Sequence, residues 1–210
     1  MKIFKSCFFL FIFAFISHAE ESKLANSESK IIFLGDSLTE GYGVSKASTY
    51  TSLIQEKFKT DNLHWKAINA GISGSTTASA SSRIRWLLKD PIKPKIVVIL
   101  LGSNDGLRGQ PIKSIEDNLS SAIDTLKKEK IKVILAELWM PPNYGNSYSN
   151  NFKKMFQSLS KKTETPLMPY ILKNVAGKPA LNIADGIHPN EKGHKIIADE
   201  VYKFIKPYLR

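Results

Sequence analysis

Four histidines and a single cysteine are all that the chain offers for imidazole or thiolate chemistry. His18 falls just after an N-terminal apolar stretch, within the first nineteen residues. His64 stands beside Trp65 in a predicted strand, and His194 follows Gly193 in the predicted last helix, where packed or solvated roles are ordinary. Only His188 lies in a strand-end loop with a carboxylate close by, in Asp185-Gly186-Ile187-His188-Pro189. Three residues across a glycine let one turn bring the Asp185 carboxylate to the imidazole. Such a contact fixes the tautomer and stabilises the imidazolium during proton transfer. Alone, that pair is as common in turns and caps as in catalysis.

A base needs something to deprotonate. Ser37 directly follows a buried apolar run and precedes a Gly-rich loop, so its hydroxyl can stand at a sheet edge. A nucleophilic serine requires a base within hydrogen-bond reach, and His188 is the well-placed candidate. Acyl transfer also requires donors for the oxyanion. The backbone N–H groups of Ser37 and Gly74 and the side-chain amide of Asn104 can supply them from three loops. Gly74 permits close backbone approach, and Asn104 brings two donors without charge.

These loops depend on the elements around them. The first nineteen residues read as an export signal: Lys2 and Lys5, the apolar run Cys7 to Ile16, then Ser17-His18-Ala19. The run is too short for a stable membrane-spanning helix. The mature chain then starts near Glu20, periplasmic or secreted. Removing Lys2 and Lys5 from 30 basic residues leaves 28 against 19 acidic ones, a charge of +9 instead of +11. It also removes the lone cysteine, and with it disulfides, thiolate metal sites and a cysteine nucleophile. Lysines are scattered, and the dense pairs Lys127-Lys128 and Lys161-Lys162 sit at predicted helix ends, where they complement the dipole. A nucleic-acid partner is therefore not expected. Weak contact with an anionic membrane surface is compatible with the charge.

Residues 20–29 read as a polar, disordered leader and 30–210 as one domain. Apolar strand runs at 30–34, 64–69, 96–101 and 131–136 alternate with helical periodicity at 47–58, 75–88, from the Ser114 cap onward, 148–159 and 190–205. A fifth, weaker strand falls at 166–170 or 180–183. Strand–helix alternation predicts an α/β domain with a parallel sheet covered on both faces, its functional loops at the carboxyl ends of the strands.

Gly35-Asp36-Ser37-Leu38, Gly74, Gly102-Ser103-Asn104-Asp105 and Asp185-Gly186-Ile187-His188-Pro189-Asn190 together resemble the four blocks of the GDSL, or SGNH, hydrolases. Asn104 to Gly109 and Pro142 to Gly145 further resemble the bacterial branch of periplasmic acyl-CoA thioesterase I, lysophospholipase L1 and arylesterase enzymes. The resemblance implies a flavodoxin-like three-layer αβα sandwich with a five-stranded parallel sheet, and neither metal nor cofactor. It implies Ser37, Asp185 and His188 as the catalytic triad, with Ser37, Gly74 and Asn104 as the oxyanion hole. It also implies that the Gly106–Gly109 and Met140–Gly145 loops border an acyl groove for a small ester, thioester or lysophospholipid. Leu107, Met140, Pro141, Pro142 and Ile187 offer apolar surface there and Tyr144 an amphipathic wall, for substrate or simply for packing the loops. A monomer is the expectation. Ser103 departs from the branch, which commonly carries a second glycine there; a positive φ at 103 would strain serine by roughly 1 kcal/mol. Two competing classes share the architecture. A nucleotide or flavin module lacks its G-x-G-x-x-G or phosphate loop here. An envelope carbohydrate O-acetylesterase would prefer acetyl groups over longer acyl chains.

Overall fold

The computed structural model describes residues 28–210. The export segment expected at 1–19, and the leader as far as residue 27, lie outside the described residues. The first strand, β1 (Ser29–Gly35), takes in the last residue assigned to that leader, because Ser29 pairs with Trp65 of β2 (Trp65–Gly71). β3 (Ile96–Leu100), β4 (Lys132–Ala136) and β5 (Leu167–Met168) complete a five-stranded sheet in the order β2-β1-β3-β4-β5, every pair parallel.

Helices cover both faces. A short α1 (Ser37–Glu40) follows β1, and α2 (Tyr50–Thr60) returns the chain to β2. α3 (Ala80–Leu87) leads to β3, and α4 (Ser103–Leu107) and α5 (Ile112–Lys128) connect β3 to β4. α6 (Asn146–Lys162) precedes β5, and α7 (Glu191–Ile205) closes the chain. The period-2 alternation of β1 divides the core. Ile31 and Phe33 pack with Tyr50, Ile54 and Phe58 of α2 and Ile197 and Val201 of α7. Ile32 and Leu34 pack with Ile84 of α3, Leu119 and Ile123 of α5, and Phe152 and Phe156 of α6. All five residues of β3 are buried, which accounts for its unbroken apolar run. Each fully buried aromatic such as Phe33 or Phe156 contributes roughly 2–3 kcal/mol of hydrophobic stabilisation.

This is the three-layer α/β fold expected, in the flavodoxin-like strand order. From β1 the chain moves outward to β2 on one side and later returns to β3 on the other. The loops after β1 and β3 therefore part over a crevice at the carboxyl edge, where such sheets place ligands.

Three expectations need correction. Ser114 does not cap α5. Proline's fixed φ and missing N–H suit a helix start, and Pro111 opens this helix earlier, leaving Ser114 inside its first turn. The stretch 75–88 is not one helix: Thr77–Ser79 form a separate 3-10 turn before α3, because the Thr77 N–H is held by Asp105. The fifth strand is two residues long, since Pro166 and Pro169 flank it and neither supplies a ladder N–H. The alternative at 180–183 forms a 3-10 turn, Pro179–Leu181, with Asn182 bridged to Pro189.

Candidate active site

Asp36 directly follows β1 and caps α1, its Oδ1 accepting the Leu38 N–H at 3.0 Å. Ser37 is thereby the first residue of a short helix at the carboxyl edge of the sheet. Across the crevice, the loop before α7 is closed by the Ile183 N–H donating to the His188 carbonyl at 2.8 Å. Asn190 caps α7, its Oδ1 accepting from the N–H groups of Lys192 and Gly193. Its amide nitrogen donates back to the Ala180 and Asn182 carbonyls, fixing where the loop returns.

These supports bring three side chains into line. His188 Nε2 lies 2.9 Å from Ser37 Oγ, and His188 Nδ1 lies 2.6 Å from Asp185 Oδ2. Asp185 Oδ1 accepts the backbone N–H groups of Ile187 and His188 at 2.9 and 3.0 Å. Desolvation alone would raise the Asp185 carboxyl, but the His188 backbone N–H, the His188 ring and the Ile187 N–H together hold it down at about 2. An ionised Asp185 only accepts, so Nδ1 carries the ring proton and Nε2 is left to accept from the Ser37 hydroxyl. The Tyr42 ring packs against the imidazole, with centroids 4.8 Å apart.

Gly74, Asn104 and Ser37 line the same cleft. Gly74 sits at φ +75°, a conformation that favours glycine. Among the described residues, neither the Ser37 nor the Gly74 N–H is engaged in a hydrogen bond. The Asn104 amide nitrogen donates to the Ser75 carbonyl at 3.0 Å and faces Asp36 Oδ2 at 3.4 Å. The loop carrying Gly74 is held from two sides. Glu40 of α1 accepts the Ser73 N–H at 2.7 Å and its hydroxyl. Asp105 of α4 accepts from Thr77, and the guanidinium of Arg108, just after α4, donates to the Gly74 carbonyl at 3.4 Å.

The cleft has a volume of about 860 Å³. Leu107, Met140, Pro141, Tyr144 and Ile187 all line it, and Pro142 opens the 3-10 turn Pro142–Tyr144 beside them. Also in the lining, Trp139 stacks on Tyr170, centroids 4.6 Å apart, with the Lys153 ammonium 4.2 Å from the Trp139 centroid.

The GDSL-like Lipase/Acylhydrolase family model matches residues 33–196, a span that includes Ser37, Gly74, Asn104, Asp185 and His188. The chain belongs to this family. It is a carboxylic ester hydrolase. An arylesterase of Vibrio mimicus is 35% identical over 188 residues, covering 90% of this chain and 94% of that protein. Thioesterase 1/protease 1/lysophospholipase L1 of Escherichia coli is 33% identical over 185 residues, covering 88% and 87%. Among solved structures, the psychrotrophic esterase EstA from Pseudoalteromonas sp., inhibited by monoethylphosphonate, superposes with a TM-score of 0.82 at 37% identity. That alignment covers 86% of this chain and 98% of EstA.

Of the histidines outside the GDSL blocks, His64 is exposed before β2. His194 is buried, its Nδ1 accepting the Tyr50 N–H at 3.2 Å, and burial, then the charge of His188, draws it down to about 4. Ser103 carries no strain. The positive φ of its block, +131°, falls on Gly102, and Ser103 begins α4 with its backbone unstrained.

Several site residues went unseen in the GDSL sequence. Burial pushes the Asp36 carboxyl up to about 6, against the Leu38 N–H and the charges of His188 and Arg83. In the sequence Asp36 was only a member of its block, and its burial depends on the tertiary crevice. Tyr42, Trp139 and Tyr170 face the cleft from strand-end segments, and a search of all strand-end aromatics would have found them.

Proposed function

We propose that Ser37, His188 and Asp185 form the catalytic triad of an acyl hydrolase acting on esters and thioesters with an apolar acyl chain. The observation that carries this reading is the hydrogen-bonded line from Asp185 through His188 to Ser37, the last two of which line a largely apolar cleft. His188 Nε2 takes the Ser37 proton as Oγ attacks the acyl carbonyl carbon. The carbonyl oxygen becomes an oxyanion held by the Ser37 and Gly74 N–H groups and the Asn104 amide. Collapse breaks the C–O or C–S bond, and the alcohol or thiol leaves with the proton from His188. Water, deprotonated by His188, then attacks the acyl-serine, and the carboxylic acid departs as Ser37 regains its proton.

Leu107, Met140, Pro141, Pro142, Tyr144 and Ile187 border the acyl groove in this reading. The arylesterase, thioesterase and lysophospholipase names of the relatives support esters, thioesters and lysophospholipids as the substrate classes. Residues 1–19 direct export, and 30–210 form the hydrolase domain.

The test is a panel of p-nitrophenyl esters of graded chain length, acyl-CoA and lysophospholipid, assayed with wild type and Ser37→Ala. The reading predicts turnover of medium or longer acyl chains that disappears in Ser37→Ala. Activity confined to acetyl groups would instead support the carbohydrate O-acetylesterase reading.

A further inference from the structure

Seven large apolar side chains stand exposed among the described residues. Tyr42, Leu107, Tyr144 and Ile187 line the cleft, and Ile72 lies in the loop that carries Gly74. The remaining two, Trp86 and Ile92, sit elsewhere and close together in sequence. Trp86 is 70% exposed, the most of the seven, and Ile92 47%. A scattered exposed isoleucine needs no explanation, but a protruding tryptophan beside one is uncommon on a soluble surface.

Trp86 lies in the last turn of α3, and the Lys89 N–H donates to its carbonyl at 3.1 Å as the chain turns into the loop 88–95. That loop is tied to the amino edge of the sheet. Asp90 pairs with Lys30 near the start of β1 at 2.8 Å, and Lys93 pairs with Glu129 at the end of α5. The crevice with Ser37 is at the opposite edge, about 17 Å away along β1 at the usual strand rise.

The charges around this loop are unbalanced. Asp90 and Glu129, its two nearby carboxylates, are each already paired with a lysine. Arg85 and Lys89 flank Trp86 with no ion pair among the described residues. Lys66, the register partner of Lys30 on β2, adds a third such cation, and among the described residues Glu28 is the one acid just before β1. An exposed amphipathic indole and an exposed isoleucine six residues on, in a segment whose Arg85 and Lys89 have no ion pair among the described residues, match the interface of an anionic lipid surface. There the indole sits at headgroup level and the cations meet lipid phosphates.

We propose that this face, with Trp86 and Ile92 at its centre, docks the protein on anionic lipid bilayers. Docking here leaves the cleft turned to the aqueous side and free to take substrate.

The experiment is co-sedimentation of the mature chain, from Glu20 onward, with phosphatidylcholine vesicles, with and without phosphatidylglycerol, at low and high salt. The expected result is salt-sensitive binding that needs phosphatidylglycerol. Arg85→Glu/Lys89→Glu should weaken it by roughly tenfold or more, on the basis of a several-fold gain per cation near an anionic surface. Trp86→Ala should weaken it while leaving the salt dependence in place. Hydrolysis of a soluble p-nitrophenyl ester should stay at the wild-type rate in both variants, showing that they remain folded. Equal vesicle binding by wild type and the double charge reversal would overturn the proposal. So would Trp86→Ala binding at wild-type strength, which would make the face a general polyanion site and not a lipid one.

Discussion

Asp105, buried in the helix that carries Asn104, accepts both the backbone N–H and the hydroxyl of Thr77, at 2.9 and 2.6 Å. Asn118 of α5 donates in turn to the Thr77 hydroxyl at 3.1 Å, so the hydroxyl both gives and receives. The chain of bonds locks the loop bearing Gly74 to the helix bearing Asn104. Two of the proposed oxyanion donors are held in register by residues that touch no substrate.

Thr77→Val keeps the shape and the N–H but leaves Asp105 short of a buried donor. The expected outcome is a kcat about tenfold lower with KM little changed, the equivalent of about 1.4 kcal/mol lost in the transition state. Thr77→Ser should stay close to wild type. Steady-state kinetics on one p-nitrophenyl ester check both.

Asp185→Asn removes the acceptor that fixes the Nδ1–H tautomer. The imidazole then turns the wrong nitrogen toward Ser37, and kcat should fall by roughly 10³–10⁴-fold while the fold persists. Circular dichroism alongside the assay separates lost chemistry from lost structure.

Two buried groups give stability opposite pH dependences. Asp36 has a folded pKa near 6, above its ordinary value of 3.8, so the fold binds more protons than the unfolded chain between those values. Its burial therefore costs stability as pH rises through 6, by at most about 3 kcal/mol. Asp36→Asn, which can still cap α1, should raise Tm at pH 8 and leave it nearly unchanged at pH 4.

His194 runs the other way. Its folded value near 4 lies below the ordinary 6.5, so the unfolded chain binds more protons in that window. The contribution is complete above pH 6.5 and is lost as pH falls toward 4. His194→Gln should flatten the Tm profile there, and measuring both variants separates two effects that partly cancel in the wild type.

Met140 is buried at the cleft wall and Leu107 half-exposed at its rim. Met140→Ala should move the preferred p-nitrophenyl ester toward longer chains, and Leu107→Ala should lower turnover of the longest ones. Unchanged chain-length profiles in both would remove these residues from the acyl groove.

Much of this protein could be read from its residues, for identifiable reasons. β3 announced itself because a strand covered on both faces must be apolar at every position. The four site blocks were visible because each carries a telling residue type in a Gly-rich strand-end loop: the Ser37 hydroxyl, a glycine at 74 that admits close approach, the uncharged Asn104 amide, and a turn from Asp185 to His188. What stayed hidden depends on contacts between segments far apart in sequence. Asp105 and Thr77 are 28 residues apart, and nothing local marks their bond. Ser114 looked like a cap because serine usually is one, yet Pro111 fixed the helix start first. The cleft aromatics Trp139 and Tyr170 meet only because β4 and β5 are neighbours.

The central claim is that Ser37 Oγ is the atom that takes the acyl group. A p-nitrophenyl alkylphosphonate should lose p-nitrophenol as Ser37 Oγ bonds to phosphorus, giving a stable analogue of the tetrahedral intermediate. Intact-mass and peptide mass spectrometry should find one phosphonyl group per wild-type chain, on the peptide containing Ser37, rising in step with lost esterase activity. Ser37→Ala should take up none. An adduct on another residue, or a Ser37→Ala protein that still hydrolyses the ester at the wild-type rate, would contradict the account.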